Sequence, residues 1–223
     1  AMLTFTGGSL DGVRMITLAP ERDGAEAFTR AMKEAGVVVS LGHTAASAEL
    51  THQAAGWGAS QVTHTFNAQS PLGHREPGVP GAALTDDRYY CQFIADGVHL
   101  HTDTVRLLAR AKGADRAVAI TDAMEAAGVP EGLYALGGYR VEVKNGEARL
   151  MNGTLAGSVL TLRKALENLI HRFGIAPEDA VRMCTQTPAD SIGEAKAGRI
   201  TPGAPLPLTR WSQGWQMQGI IEG

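Results

Sequence analysis

The stretch VVVSLGH, residues 37–43, decides the fold. Its three valines read as a strand of the fully buried kind, and a histidine stands at its end. Working backwards, Ala25–Ala35 reads as a helix with Ala, Phe28 and Met32 at helical spacing, stopped by Gly36, and Met15–Leu18 reads as the strand before it. That completes one βα unit. Working forwards, Ser47–Ala55 reads as a helix, Gln61–His64 and Cys91–Ala95 as strands, Thr102–Lys112 as a helix and Ala117–Ile120 as a fifth strand. The alternation predicts an α/β chain with a mainly parallel sheet. Tyr139–Val143 and Glu147–Leu150, joined through Asn145-Gly146, predict a β-hairpin, and Leu162–Phe173 and Pro177–Thr185 read as closing helices.

Composition narrows the function classes. With 44% hydrophobic and 19% charged residues over 223 positions, the chain can bury a core and is no disordered tail. It contains no apolar run of the ~18 residues a bilayer span needs, which predicts a soluble protein with no membrane partner. The formal net charge is −3, with no Lys/Arg stripe, which argues against nucleic acid. Two cysteines, Cys91 and Cys184, are too few for a disulfide framework and fit a reducing cytoplasm.

Chemistry-capable residues recur at strand ends. VVVSLGH ends at His43, QVTH at His64 and FIADGVH at His99, and AIT is followed by Asp122. In a parallel barrel the active site lies at the C-terminal ends of the strands, so four such endings point to one mouth. Taken singly, each histidine is more often a hydrogen-bonded, partly buried residue. Two neutral imidazoles from neighbouring strands suit a Zn²⁺-type ion, which makes hydroxide available at neutral pH, and Asp122 suits the carboxylate that handles the proton. The plainer reading of Asp122 is a helix N-cap. In HTFNAQSPLGHREPG, residues 64–78, Asn67, Ala68 and Arg75 supply the amide groups and guanidinium fork that a phosphate monoester needs. The plainer reading there is a solvated Arg75–Glu76 pair. His99 can add a hydrogen bond or a positive charge beside the same ligand. GTLAGS, residues 153–158, is by itself a weak signal.

VRMITLAPE at 13–21, VSLGHT at 39–44, THTFNA at 63–68, GHREPGVPGAAL at 73–84, IADGVHLH at 94–101, TDAMEAAG at 121–128, NGTLAGS at 152–158 and GRITPG at 198–203 together resemble the N-acetylglucosamine-6-phosphate deacetylases of the amidohydrolase superfamily. The resemblance implies a (β/α)8 TIM-type metal-dependent hydrolase barrel, incomplete here, with a small β-sandwich built from the chain termini. On that pattern residues 1–10 are a remnant of a sandwich strand. Residues 11–200 are about strands 4–8 of the barrel with a hairpin insert near 138–150, and 201–223 are returning sandwich strands that take Trp211 and Trp215 into their core. It implies His43 and His64 as metal ligands and Asp122 as the acid/base. Asn67, Ala68, Arg75 and His99 become sugar-phosphate contacts, with Asp96, Gly97 and Val98 in the same turn and Leu155, Ala156 and Gly157 closing over the sugar. The cofactor implied is a divalent metal ion, zinc first and iron, manganese or cobalt as alternatives, one or two per subunit. The substrate implied is a phosphorylated N-acetyl amino sugar, and the assembly a homodimer in which Arg75 or His99 can act across the interface.

Two departures stand out. Gln69 occupies the position after Asn-Ala where those enzymes usually carry Met, and the upstream HxEGP block with its metal-ligating Glu is absent, as are the first three barrel strands. Ala1 reads as a cloning remnant, and a long segment is expected to be missing between about Ser9 and Val13, either because it is disordered and unseen or because it has been deleted. Two other functions remain open: an amidohydrolase acting on a cyclic amide or nucleobase, and a non-catalytic sugar-phosphate-binding fragment.

Overall fold

The computed structural model describes residues 9–203 and 207–221. The expected sandwich-strand remnant at 1–10 therefore lies almost wholly outside the described residues. Residues up to Cys91 form one compact unit and residues from Gln92 a second.

In the first unit β1 (Met15–Leu18), β2 (Val38–Leu41), β3 (Ala59–Val62) and the start of β4 (Tyr90–Ile94) lie in chain order, every pair parallel. Register aligns Leu18 with Leu41, Leu41 with Val62 and Val62 with Cys91, one row across the sheet. Leu41, Val62 and Cys91 are fully buried on one face, and with Val39 and Ser40 also buried β2 is covered on both. Helix α1 (Ala25–Glu34) buries Ala25, Thr29 and Met32, which are four and three residues apart. Gly36 ends it at φ +75, with its N–H donating to the Lys33 carbonyl. Helix α2 (Ala48–Trp57) starts where the Ser47 hydroxyl accepts the Leu50 N–H at 3.1 Å.

Helix α3 (Gly78–Thr85) falls where the sequence reads as a Pro/Gly-rich loop. Pro80 sits in its first turn, where no intrahelical N–H is needed. Six of its eight residues are buried, so packing outweighs poor propensity.

In the second unit β5 (Ala117–Ile120) continues the order beside β4, after helix α4 (Thr102–Lys112). The described residues thus contain the five expected strands, in chain order. The expected hairpin forms as β7 (Tyr139–Lys144) and β8 (Glu147–Leu150), with Asn145 and Gly146 both left-handed as a tight primed turn demands. A strand not foreseen, β6 (Gly132–Leu136), pairs antiparallel with β7, and the three cover a small core of Met124, Val141, Val143, Ala148 and Ala156. Helices α5 (Leu162–His171), α6 (Pro177–Cys184) and α7 (Gln186–Ser191) follow, then the antiparallel pair β9 (Leu208–Trp211) and β10 (Met217–Ile221). Trp211 and Trp215 are half-buried. Among the described residues no helix is long and apolar enough to cross a membrane.

Candidate functional site

Backbone conformation singles out three of the four strand-end residues, all but His99. Seven described non-glycine residues have positive φ, and four of them are His43 (+50), His64 (+31), Ala68 (+48) and Asp122 (+51). Left-handed backbone costs a non-glycine residue about 1–3 kcal/mol, a strain that gathers where a side chain must be aimed. The exit from β2 is also crowded. A Cβ on Gly42 would stand 2.8 Å from Thr17 Cγ2 and 2.9 Å from Thr63 Cβ, so only glycine fits before His43.

His43 and His64 come together. Their Nε2 atoms are 3.0 Å apart and their rings meet edge to face, with centroids 4.7 Å apart. His64 is buried and His43 exposed. The Nδ1–H of His64 donates to the Asn67 carbonyl at 3.1 Å, which leaves the lone pair of its neutral ring on Nε2, facing His43. Two imidazole nitrogens aimed at one point are a donor set suited to a zinc-type cation and fill two of the three protein positions of a catalytic site. Among the described residues no third His, Cys, Asp or Glu joins them.

The turn after His64 is held by its own polar groups. The Asn67 side-chain amide donates to the His64 and Thr65 carbonyls, and the Ala68 carbonyl accepts the Thr44 N–H at 3.1 Å. Ala68 and Arg75 are exposed. Arg75 does not pair with Glu76, whose Oε1 accepts the Ala48 and Gly78 amides at 2.8 and 3.0 Å. Those two amides hold the Glu76 carboxyl below its usual range. Glu21 braces the segment after His43 by accepting the Thr44 hydroxyl and the Ala45 N–H.

The second unit carries the remaining candidates. In the turn after β4, Asp96 Oδ1 accepts the Val98 and His99 amides, and Oδ2 lies 2.7 Å from His99 Nδ1. Burial pushes the Asp96 carboxyl up, but His99 and the two amides outweigh it and hold it below its ordinary value. This fixes the His99 ring with Nε2 turned outward from the pair. Gly97, at φ +76, lies against Arg172, whose guanidinium donates to the Asp96 and Gly97 carbonyls.

Asp122 is exposed and is not a helix N-cap, because a series of turns follows it. Its backbone is clamped by Ser158, whose N–H donates to the Asp122 carbonyl at 2.8 Å and whose hydroxyl donates to the Thr121 carbonyl. The clamp extends the stretch containing Leu155, Ala156 and Gly157. Gly157 is left-handed, and a Cβ there would meet the Asp122 carbonyl at 3.2 Å. Sequence reasoning missed Ser158, Glu21 and Arg172. Ser158 and Glu21 lie in NGTLAGS and VRMITLAPE, yet their roles depend on distant backbone that no local pattern announces.

The sequence pattern of the amidohydrolase family matches residues 18–213, and the chain belongs to that family. Within it the chain is similar to N-acetylglucosamine-6-phosphate deacetylase of Lysinibacillus sphaericus, 40% identical over 191 residues that cover 86% of this chain and 49% of the relative. It is also similar to N-acetylgalactosamine-6-phosphate deacetylase of Escherichia coli O157:H7, 38% identical over 213 residues, 95% of this chain and 56% of the relative. The crystal structure of N-acetylglucosamine-6-phosphate deacetylase from Pasteurella multocida superposes with a TM-score of 0.92 at 35% identity, covering 98% of this chain and 57% of that one. The chain spans about half the length of the curated relatives it matches.

Proposed function

We propose that the chain acts in the metal-dependent hydrolysis of the acetamide of N-acetylglucosamine 6-phosphate, yielding glucosamine 6-phosphate and acetate. The observation that carries this reading is the convergence of His43 Nε2 and His64 Nε2 at 3.0 Å, in a chain similar to deacetylases of that substrate class. These nitrogens hold a divalent cation, zinc first and iron, manganese or cobalt as alternatives, one or two per subunit. Such an ion, when bound, withdraws electron density from the acetamide carbonyl and so favours the tetrahedral transition state.

Asp122 takes a proton from the attacking water and returns it to the amine as the C–N bond breaks. Its exposed carboxylate has no partner among the described residues, so both oxygens are available. Arg75, left unpaired by Glu76, offers its fork to the 6-phosphate, together with Asn67 and the Ala68 amide. His99, held by Asp96 in the turn with Gly97 and Val98, adds a hydrogen bond at Nε2 to the same ligand. Leu155, Ala156 and Gly157 close over the sugar. Residues 11–200 make up the catalytic (β/α) part, and the β9–β10 pair belongs to a terminal β-sandwich. The working form is a cytoplasmic homodimer.

A second reading is a non-catalytic binder of sugar phosphates. It is favoured by the two-imidazole donor set, one protein ligand short of a catalytic zinc site among the described residues. Release of acetate from N-acetylglucosamine 6-phosphate by the zinc-loaded chain decides between them, with the galactosamine epimer and an unphosphorylated cyclic amide as comparison substrates. Turnover of the glucosamine compound above the other two supports the deacetylase. Binding without acetate release supports the second reading, and turnover of the cyclic amide alone points to a different amidohydrolase.

A further inference from the structure

Gln69, the residue that departs from the usual Met, brackets His64 with two hydrogen bonds. Its Nε2 donates to the Thr63 carbonyl at 2.7 Å and its Oε1 accepts the Phe66 N–H at 3.1 Å, so one side chain ties the residue before His64 to the residue two after it. Three left-handed non-glycine residues, His64, Phe66 and Ala68, follow one another at alternate positions of this turn. At about 1–3 kcal/mol each, such a turn persists only if its surroundings over-determine it.

Gln69 also sits opposite Thr44 in a parallel bridge made by its two neighbours, with the Thr44 N–H donating to the Ala68 carbonyl and the Ser70 N–H donating to the Thr44 carbonyl, both at 3.1 Å. Thr44 immediately follows His43. Gln69 thus braces the turn that carries His64 through its side chain, while the residues on either side of it join that turn to the segment that carries His43. A methionine of similar length keeps the backbone bridge but offers neither an N–H donor nor a strong acceptor, leaving the Thr63 carbonyl and Phe66 amide without these partners.

We infer that Gln69 is a positioning residue that holds the His64 imidazole against that of His43 and thereby sets the affinity of the pair for a divalent cation. The inference rests on the reading of His43 and His64 as metal ligands. Its test is the zinc dissociation constant of the full chain and of its Gln69→Met and His64→Ala variants, measured by competition with a chromophoric chelator. Removing an outer support of a metal ligand typically weakens binding roughly 10–100-fold, and a loss of that size is expected for Gln69→Met. Alongside it, hydrogen exchange of the Phe66 amide is expected to be slow in the parent chain and at least about tenfold faster in Gln69→Met.

If His64→Ala weakens zinc binding but Gln69→Met stays within about twofold of the parent, the role of Gln69 is overturned and the metal pair stands. If His64→Ala also changes nothing, the metal reading itself fails and this inference falls with it. Should Gln69→Met not fold, the Phe66 amide of the parent chain still decides: exchange at the rate of a free amide shows that Gln69 does not hold it and overturns the proposal.

Discussion

His43 and His64 stand at equivalent positions two residues beyond the paired ends of their strands. Leu41 pairs with Val62 at the ends of adjacent parallel strands, and each histidine lies two residues further on, with Nε2 atoms 3.0 Å apart. Parallel neighbours place equivalent positions side by side, and the left-handed turn at each histidine then aims the ring at its neighbour. The pair follows from strand register plus two local departures from extended backbone.

Replacing Asp122 by Asn keeps the side-chain shape and removes the base. Loss of a general acid–base typically costs about 10²–10⁴-fold in rate, so kcat for acetate release is expected to fall by that amount while zinc affinity changes less than about threefold. An Asp122→Asn enzyme with parental kcat would remove Asp122 from the proton path.

Arg75 is exposed and without a polar partner among the described residues, so its loss costs the fold little. A charged hydrogen-bond pair to phosphate is worth about 1.5–3 kcal/mol, which predicts a KM for N-acetylglucosamine 6-phosphate raised roughly 10–100-fold in Arg75→Ala. Turnover of unphosphorylated N-acetylglucosamine is expected to be unchanged. Equal losses on both substrates would assign Arg75 a role other than phosphate recognition.

Asp86 gives the first unit a pH-dependent anchor. Its nearly buried carboxylate accepts from Arg88 Nε and Nη2 and lies 2.9 Å from His52 Nδ1. The Arg88 guanidinium above all, with His52, holds its carboxyl well below the ordinary 3.8. A carboxyl whose folded pKa lies below its unfolded one stabilises the fold at neutral pH and loses that contribution as pH falls through 3.8 toward the folded value. Asp86→Asn is therefore expected to lower stability by about 1–2 kcal/mol at pH 7, a figure kept modest because Arg88 and His52 are half exposed. The gap between variant and parent narrows below about pH 4. Denaturant midpoints at pH 7 and pH 3 check it, and a gap that widens in acid would reverse the assignment.

Gly97 combines φ +76 with contact against Arg172, where a Cβ would lie 2.1 Å from Cζ. The Arg172 side chain can swing aside only by giving up its bonds to the Asp96 and Gly97 carbonyls. Gly97→Ala is expected to cost about 1–3 kcal/mol in chemical denaturation, from left-handed strain and lost hydrogen bonds. A change below about 0.5 kcal/mol would show that the turn adapts freely.

The legible parts of this molecule were those with a local physical cause. The valine run, the apolar spacing of α1 and the Asn145-Gly146 turn each dictate their own structure, and strand alternation predicts that His43 and His64 lie on neighbours. The illegible parts depend on what surrounds them. GVPGAALT forms α3 because it is buried, Glu76 serves the Ala48 and Gly78 amides instead of Arg75, and Asp122 is shaped by Ser158, 36 positions later. Even Gln69, visible in the sequence as a departure, reveals its purpose only once Thr63 and Phe66 are seen on either side of His64.

The measurement that bears most directly on this account is the zinc content of the chain after dialysis against a fixed free zinc concentration, compared with that of a His43→Ala/His64→Ala variant. Stoichiometric zinc in the parent, lost in the double variant while both remain folded by circular dichroism, is the result predicted. Equal zinc in both, or none in either, would contradict the assignment of the imidazole pair as the metal-holding centre.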